Sequence, residues 1–280
     1  MSFSSDIKDK LCRERGRCPN CKNACLSGVF EFAGKKNGDE IRFVTENEYV
    51  ADYIADAVYD GESVKYVKGA RDCRFFLNSG GDIMNKITAW EENASACCMR
   101  SYVRGAFLGG GSVTDPKSAY HLEFVTRFDE QAKKLAEILN GSSIAAKITR
   151  RKGLYTVYIK ECEAIADALG FMGAHSGGLE LYSVQVEKEL RNRINRRVNC
   201  ETANTEKTAR AASKQIVAIK KIKDAGKWGT LSETLREIGE LRAENPDISL
   251  KELGDMTNPP IGKSGVNHRL DRLIKFAESL

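Results

Sequence analysis

The sequence predicts an α+β fold of two similar repeats, followed by a basic helical linker and an all-α carboxy-terminal domain. Two apolar segments that contain glycine reveal the repeats, because they correspond at a constant offset of 77 residues. A glycine inside an apolar helix costs about 1 kcal/mol relative to alanine and usually marks close backbone approach. We therefore predict that two short helices pack against each other at the centre of the fold. The aligned pairs are Leu26/Val103, Gly28/Gly105, Phe30/Phe107 and Gly34/Gly111.

The first repeat, residues 1–95, alternates between helical and strand patterns. Apolar residues three or four positions apart predict helices, and alternating apolar and polar residues predict strands. The predicted elements are a helix at 18–33, a strand at 40–45, a helix containing Val50, Ile54, Ala57 and Val58, a hairpin from 63–67 and 73–77, and a polar passage through Gly80, Gly81, Glu91 and Glu92.

The second repeat, residues 96–182, shows the same succession after its motif helix. Beyond that helix the offset grows to 81, which fits a longer loop near 115–118. Each repeat is therefore predicted as α-β-β-α-β-β, with one closing helix after the second copy. The predicted elements are a strand at 120–125, a helix at 129–140, a hairpin from 144–148 and 155–159, and a helix at 161–171.

Residues 183–228 differ in composition and are predicted to form a basic helical linker. The stretch lacks proline, and its portion 188–227 carries 12 basic and 4 acidic side chains. Residues 1–186 instead balance 25 Lys and Arg against 25 Asp and Glu. An excess of positive charge confined to one segment is expected of an arm that contacts phosphates.

The carboxy-terminal domain, residues 229–280, has the pattern of a helix-turn-helix. A first helix at 231–244 ends before Pro246, where proline blocks continuation. Ser249 and Glu252 form a predicted capping box that opens a short helix. The run Asn258-Pro-Pro260 then enforces a turn before a last helix that begins near Lys263.

Such an arrangement places the exposed side of its last helix in the major groove of DNA. Asn can bind adenine and Arg can bind guanine through two hydrogen bonds, while other polar groups hold phosphates. The alternative is a three-helix scaffold with a solvated polar face. Further candidates for phosphate contacts are Lys147 and 150–152. The predicted DNA-binding residues are Lys263, Ser264, Asn267, His268, Arg269 and Arg272 in the last helix, with Arg193, Arg196 and Arg197 in the linker.

Composition and motifs argue against several other classes of protein. The first ten residues are charged and lack the apolar core of a secretory signal, and no apolar run approaches the roughly 20 residues that span a bilayer. We therefore expect a cytoplasmic protein without membrane contact. The three histidines lie far apart, and no phosphate loop, HExxH motif or nucleophile elbow is present. No catalytic residue is predicted.

Nine cysteines, an odd number, indicate free thiols in a reducing compartment. Cys18-x2-Cys21-x3-Cys25, with Cys12 before it, is a candidate tetrathiolate zinc site. The second CxxC or histidine pair that usually completes such a site is missing, and free cysteines are commonly small buried residues. We therefore predict no metal and no other cofactor, and leave these four cysteines as an open alternative.

Three stretches, Tyr102–Pro116, Arg191–Asn204 and Asn258–Leu270, resemble the WhiA regulators of Gram-positive bacteria. The resemblance covers nearly the whole chain. It implies an amino-terminal fold similar to LAGLIDADG homing endonucleases and a carboxy-terminal helix-turn-helix. It also implies a nucleoid-associated transcription regulator of sporulation, or of cell division and chromosome segregation, with promoter DNA and a possible protein regulator as partners.

The resemblance to homing endonucleases implies where metal-binding acids would stand. In those enzymes the eighth position of the nine-residue motif supplies the acid that binds the divalent metal. Here that position is Ala33 in the first motif and Gly110 in the second, and neither can bind a divalent cation. Glu31 lies two residues before Ala33, about 200° around a helix, and is expected to point elsewhere. We predict a fold without catalytic activity rather than an active homing endonuclease. A third possibility is a nucleoid- or division-associated protein whose first domain binds a protein partner instead of DNA, which the balanced charge of 1–186 favours.

Overall fold

A computed structural model describes residues 2–58 and 64–280, which form two compact units within 1–189 and 190–280. The first unit contains the two repeats. Its first repeat comprises α1 (Phe3–Cys12), α2 (Asn20–Ala33), β1 (Lys35–Asn37), β2 (Glu40–Thr45), α3 (Glu48–Val58), β3 (Val64–Lys68), β4 (Cys73–Asn78), α4 (Asp82–Thr88) and a 3-10 turn at Ala89–Asn93.

From its motif helix onward, the second repeat has the same order of elements as the first repeat has from α2. It comprises α5 (Ala96–Gly110), β5 (Gly111–Val113), β6 (Leu122–Thr126), α6 (Asp129–Gly141), β7 (Lys147–Arg151), β8 (Leu154–Ile159) and α7 (Cys162–Met172). The two antiparallel sheets have matching strand orders, β1-β2-β4-β3 and β5-β6-β8-β7. The predicted pair of α-β-β-α-β-β repeats is therefore confirmed.

The two motif helices, α2 and α5, pack directly against each other at their glycines. A Cβ on Gly28 would lie 2.2 Å from the Tyr102 carbonyl oxygen, and a Cβ on Gly105 would lie 1.8 Å from that of Cys25. The offset of 77 converts the first contact into the second, so the two repeats exchange equivalent contacts about a pseudo-twofold axis. The prediction of close backbone approach is confirmed.

The two sheets bury one face each, as alternation along their strands requires. Phe43 pairs with Phe75 in the first sheet and Phe124 pairs with Val157 in the second, and all four side chains are fully buried. Phe124 also contacts Phe32 of α2 edge to face, with 6.5 Å between the ring centroids. The core of the first unit is thus shared between both sheets and both central helices.

Two local predictions differ from the structure. The passage predicted as polar before the second motif contains α4 and the 3-10 turn, because Met84, Ile87 and Trp90 turn inward to the core. The second hairpin begins at Lys147 rather than Ile144, which is buried in the preceding loop. Its two-residue turn, Lys152–Gly153, has positive φ at both positions, the geometry that favours glycine. Ser63, the predicted start of the first hairpin, lies outside the described residues.

The second unit is all-helical. Helix α8 (His175–Asp224) runs through most of the predicted linker, and its residues from 190 onward belong to this unit. Its last turns pack on α9 (Glu233–Glu244), α10 (Leu250–Asp255) and α11 (Lys263–Glu278). A 3-10 turn at Trp228–Thr230 connects α8 to α9. Ile222, Ile238, Leu253, Val266 and Leu270 are fully buried in the core of this unit. Within the described parts of the chain, no helix is both long and apolar enough to cross a bilayer.

Candidate DNA-binding surface

The turn between α10 and α11 is fixed by one glycine and one threonine. The Gly254 carbonyl accepts hydrogen bonds from the Ile261 amide at 3.0 Å and from the Thr257 hydroxyl at 2.9 Å. A Cβ on Gly254 would lie 2.1 Å from the Ile261 carbonyl oxygen, so no larger residue fits there. These contacts hold the start of α11 against the end of α10, as a helix-turn-helix requires.

The predicted capping box is present at the start of α10. The Ser249 hydroxyl accepts from the Glu252 amide at 3.3 Å, and the Glu252 carboxylate accepts from the Ser249 amide at 2.8 Å. The hydrogen bonds from the Ser249 backbone and side chain lower the pKa of the Glu252 carboxyl. The capping box therefore defines where α10 begins.

The loop between α9 and α10 is organised by the guanidinium of Arg242, which is 1% exposed. Its Nη1 donates to the carbonyl oxygens of Ile248 at 2.9 Å and Pro246 at 3.2 Å. Burial lowers the pKa of the Arg242 guanidinium below its usual range. In the sequence this arginine looks like an ordinary surface residue, and only its burial reveals its role.

Helix α11 has a buried face and an opposite exposed face. Val266, Leu270, Leu273 and Ala277 pack inward. Successive residues of an α-helix are 100° apart around its axis, so Ser264, His268 and Arg272 lie on the opposite side of α11. All three are exposed. Among the described residues, none of these three side chains forms an ion pair. This outward face is therefore free to contact a ligand.

The other three predicted residues of α11 lie at its flanks. The six span roughly 240° of the helix and cannot all face one groove. Asn267 donates to Asp271 at 3.0 Å and lines a cleft beside α8, and exposed Lys263 lies at the start of the helix. Arg269 is half-buried, with its Nη1 3.8 Å from the Glu237 carboxylate of α9. Arg269 thus connects α11 to α9.

The three predicted linker residues, Arg193, Arg196 and Arg197, are exposed on α8. Arg197 pairs with Glu201 one turn later at 3.0 Å, whereas the described residues offer Arg193 and Arg196 no ion pair. The same stretch also exposes apolar side chains, including Ile194 at 53%. The surface of this segment is therefore mixed rather than purely basic.

The further basic candidates Lys147 and 150–152 lie on and just beyond β7, the edge strand of the second sheet. Lys147, Arg150 and Arg151 are exposed, and the Arg150 guanidinium stacks on the Tyr155 ring with 5.3 Å to its centroid. The strand presents a row of positive charge at the sheet edge.

Comparisons with known proteins agree with this architecture. The family model of the WhiA LAGLIDADG-like domain matches residues 99–191, and that of the WhiA C-terminal HTH domain matches 194–277. A probable cell division protein WhiA from Clostridium novyi is 39% identical over 100% of this chain and 98% of its own length. The corresponding protein from Alkaliphilus oremlandii is 40% identical with the same coverage. The chain belongs to the WhiA family.

Solved WhiA structures show the same fold. The full-length DUF199/WhiA structure from Thermotoga maritima has a TM-score of 0.65 at 25% identity and covers 100% of this chain and 99% of that one. The isolated N-terminal LAGLIDADG domain of DUF199/WhiA has a TM-score of 0.54 at 21% identity, over 61% of this chain and 90% of that domain. The predicted LAGLIDADG-like domain and helix-turn-helix are confirmed for this WhiA-family chain.

In this WhiA-family chain, the two positions that the sequence predicts for the nuclease acids lie at the ends of the central helices. Ala33 is the last residue of α2 and Gly110 is the last of α5. A Cβ on Gly110 would lie 2.5 Å from the Val125 carbonyl oxygen, so an acidic side chain is crowded out there. Glu31 turns to Tyr102 of α5, whose hydroxyl donates to it at 2.6 Å.

The structure corrects the candidate set of four cysteines. The thiols of Cys18 and Cys21 gather with those of Cys97 and Cys98, whereas Cys12 and Cys25 take no part in the group. Cys97 and Cys98 are 76 or more residues away from Cys18 and Cys21 in sequence and belong to the other repeat. Spacing along the chain within 12–25 could not reveal them.

Proposed function

We propose that this chain is a sequence-specific DNA-binding transcription regulator. The observation that supports this proposal is the outward face of α11, where Ser264, His268 and Arg272 are exposed on the side opposite the buried residues of the helix. Arg272 offers the paired donors that match the O6 and N7 acceptors of guanine, and His268 and Ser264 offer single hydrogen bonds. Asn267 and Lys263 flank this face and suit neighbouring bases or phosphates, while Arg269 positions α11 on α9.

Selection of binding sites from random duplexes, followed by fluorescence anisotropy, tests this proposal. The variant His268→Ala/Arg272→Ala should bind the selected site at least tenfold more weakly and should lose preference at the contacted bases, because each good base contact contributes about 1–3 kcal/mol. Arg13→Ala is the control and should leave affinity unchanged, because Arg13 is an exposed residue just after α1 that pairs with Asp9. Wild-type binding by the double variant would exclude α11 as the reading helix.

We further propose that Arg193, Arg196 and Arg197 contact phosphates without reading bases. Each neutralised phosphate steepens the dependence of log affinity on log salt by about 0.9. The triple alanine variant should therefore weaken binding to all duplexes alike and flatten that slope by about 2–3. A loss confined to the selected site would instead mean that these arginines read sequence.

A separate question is whether the first unit contacts DNA or a protein partner. Its charge is balanced overall, but β7 presents basic side chains. Replacing Lys147, Arg150 and Arg151 by alanine in the full chain distinguishes two roles. A flatter salt dependence would support a second DNA contact along this edge. Unchanged DNA binding would favour the alternative that the repeats bind a protein regulator.

We propose that the LAGLIDADG-like domain does not cleave DNA. Cleavage by two-metal chemistry needs carboxylate oxygens to hold divalent cations, and Ala33 and Gly110 supply none. Incubation of the full chain with Mg²⁺ or Mn²⁺ and a plasmid library that contains the selected site should leave the DNA intact. Site-specific cuts would overturn this part of the proposal.

The biological setting is proposed from the relatives, which are named as probable cell division proteins. We propose that the chain associates with the nucleoid and regulates promoters for cell division and chromosome segregation, or for sporulation where spores form. Chromatin immunoprecipitation with sequencing should place the protein at promoters that contain the selected site. Uniform occupancy along the chromosome would favour an architectural role.

A further inference from the structure

Four thiol groups meet where the two central helices begin. Cys18 lies just before α2 and Cys21 in its first turn, while Cys97 and Cys98 lie in the first turn of α5. The Sγ atom of Cys18 is 3.5 Å from those of Cys21 and Cys98 and 3.7 Å from that of Cys97. All four Sγ atoms lie within 4.8 Å of one another.

We propose that Cys18, Cys21, Cys97 and Cys98 bind one Zn²⁺ ion as a tetrahedral thiolate site that clamps the two repeats together. Zinc bonds to cysteine sulfur at about 2.3 Å, so the sulfurs of an ideal tetrahedron are about 3.8 Å apart. The distances from Cys18 are within a few tenths of an ångström of that value. Only small side-chain adjustments would close the site around an ion.

The environment of the thiols suits a structural site. Cys21 and Cys98 are buried and Cys18 and Cys97 are half-buried, so four protein ligands leave little access for water. A closed four-cysteine set is typical of structural zinc, whereas catalytic zinc keeps an open position. Thiols are weak hydrogen-bond donors, so their contacts with one another explain little of this clustering.

Neighbouring groups would orient and stabilise the bound thiolates. The Ser95 hydroxyl lies 3.1 Å from the Cys97 sulfur and 3.3 Å from the Cys98 sulfur, where it can donate to either once they are ionised. The sulfurs also gather at the amino-terminal ends of two helices, where the helix dipole favours negative charge. Exposed Arg15, Arg17 and Lys22 lie close in sequence to the ligands of the first repeat and add positive charge.

The spacing of the sulfurs favours a single ion over an iron–sulfur cluster. In a cluster, several iron ions and inorganic sulfides lie between the cysteine ligands and hold them farther apart. A single Fe²⁺ ion would fit the same distances, but divalent zinc binds such sites more tightly than ferrous iron. The set of four thiolates therefore points to zinc.

The site would act as a clamp because its ligands come from both repeats. Cys18 and Cys21 belong to the first repeat, and Cys97 and Cys98 belong to the second. The offset of 77 aligns Cys21 with Cys98, so equivalent positions at the helix starts meet near the pseudo-twofold axis. Because binding requires this folded arrangement, the free energy of zinc binding would stabilise the first unit.

Elemental analysis of the full chain, expressed with added zinc and purified under reducing conditions, tests the proposal. We expect about one zinc per chain. Cys97→Ser/Cys98→Ser should lower that content roughly tenfold or more, whereas Cys200→Ser, at an exposed site on α8, should leave it unchanged. Zinc that survives the double substitution, or stoichiometric iron in its place, would overturn the proposal.

Two measurements on the wild-type chain keep the test decisive if the variant does not fold. Co²⁺ added to metal-free protein should give the visible and charge-transfer bands of tetrahedral cobalt thiolate, and added Zn²⁺ should abolish them. Zinc should also protect Cys18, Cys21, Cys97 and Cys98 from alkylation while Cys200 reacts. A folded chain that gives no cobalt thiolate bands, or whose four cysteines are found as disulfides in reducing buffer, would contradict the site.

Discussion

The Tyr102 hydroxyl donates a hydrogen bond to Glu31 Oε2 at 2.6 Å and so connects the two central helices. Glu31 Oε1 accepts from Ser27 at 2.8 Å and from Lys134 at 3.4 Å, which leaves both carboxylate oxygens occupied. Burial, together with the adjacent carboxylates of Glu31 and Glu91, raises the pKa of Tyr102, so its hydroxyl stays protonated. The one acid of the first motif is therefore used to join the repeats.

Tyr102→Phe should lower the free energy of unfolding of the first unit by about 1.5–3 kcal/mol, because it removes a buried hydrogen bond to a charged acceptor. Trp90 stacks on Tyr102 with 5.3 Å between the ring centroids and reports on this unit. Urea unfolding followed by tryptophan fluorescence in a Trp228→Phe background isolates its signal. Tyr155→Phe, half-buried on β8, is the control, and an equal loss there would show that the Glu31 contact adds nothing.

Gly105→Ala should destabilise the first unit by about 3 kcal/mol or more, because its Cβ would lie 1.8 Å from the Cys25 carbonyl oxygen. The close neighbour is backbone and can move only if the two helices separate. Gly141→Ala is a matched helical control, since no described atom outside its chain neighbours and its own helix backbone lies within 4 Å of its Cβ position. The control should be neutral or stabilising by up to about 1 kcal/mol. Similar urea midpoints for the two variants would refute close packing at Gly105.

The repeats and the helix-turn-helix were predictable because both depend on local patterns. The offset of 77 identified the central helices, and Ser249, Glu252 and the prolines marked the last domain. The helix α4 was missed because its polar residues outnumber the few that turn inward. The cysteine cluster was missed for a different reason: Cys18 and Cys97 meet only through the packing of two repeats, which no spacing along the chain encodes.

Tertiary packing also decides which residues of α11 can form the DNA-binding site. Sequence patterns identified the helix and its polar residues, but they could not separate the outward face from the flanks. Arg269 and Arg272 look alike in sequence, yet the first pairs with Glu237 of α9 and the second is exposed. Their separation depends on where α9 packs, which is a tertiary property.

Arg242→Ala should destabilise the second unit by about 3 kcal/mol or more, because it removes a fully buried side chain and the hydrogen bonds of its guanidinium to three carbonyl groups of the α9–α10 loop. Arg236→Ala removes an exposed arginine from the same helix and should change stability by less than about 0.5 kcal/mol. Both substitutions are made in a Trp90→Phe background, in which only Trp228 remains. Urea unfolding followed by the fluorescence of Trp228 then reports on this unit. Equal effects of the two substitutions would mean that burial of Arg242 contributes nothing specific.

Lys8 gives the first unit a distinctive dependence on pH. Its ammonium donates to the Leu108 carbonyl at 3.2 Å near the end of α5, and burial lowers its pKa from 10.5 to about 8. Between about pH 8 and 10.5 the unfolded chain therefore keeps a proton that the folded chain has lost. Because the unfolded state binds more protons in that window, this residue's contribution to stability rises with pH there, by up to about 1.4 kcal/mol per unit. Below about pH 8 both states are protonated, and the full cost of burying the charge is present.

Lys8→Met keeps the aliphatic stem and removes the charge, so it should be more stable than the wild type near neutral pH. The difference in the free energy of unfolding should shrink as pH rises from about 8 to 10.5, because the wild type gains stability that the variant cannot. Urea unfolding of both proteins across this range, followed through Trp90, measures the difference. Lys35→Met, at an exposed position on β1, corrects for the general loss of one positive charge. A difference that stays constant across the range would show that folding does not lower the pKa of Lys8.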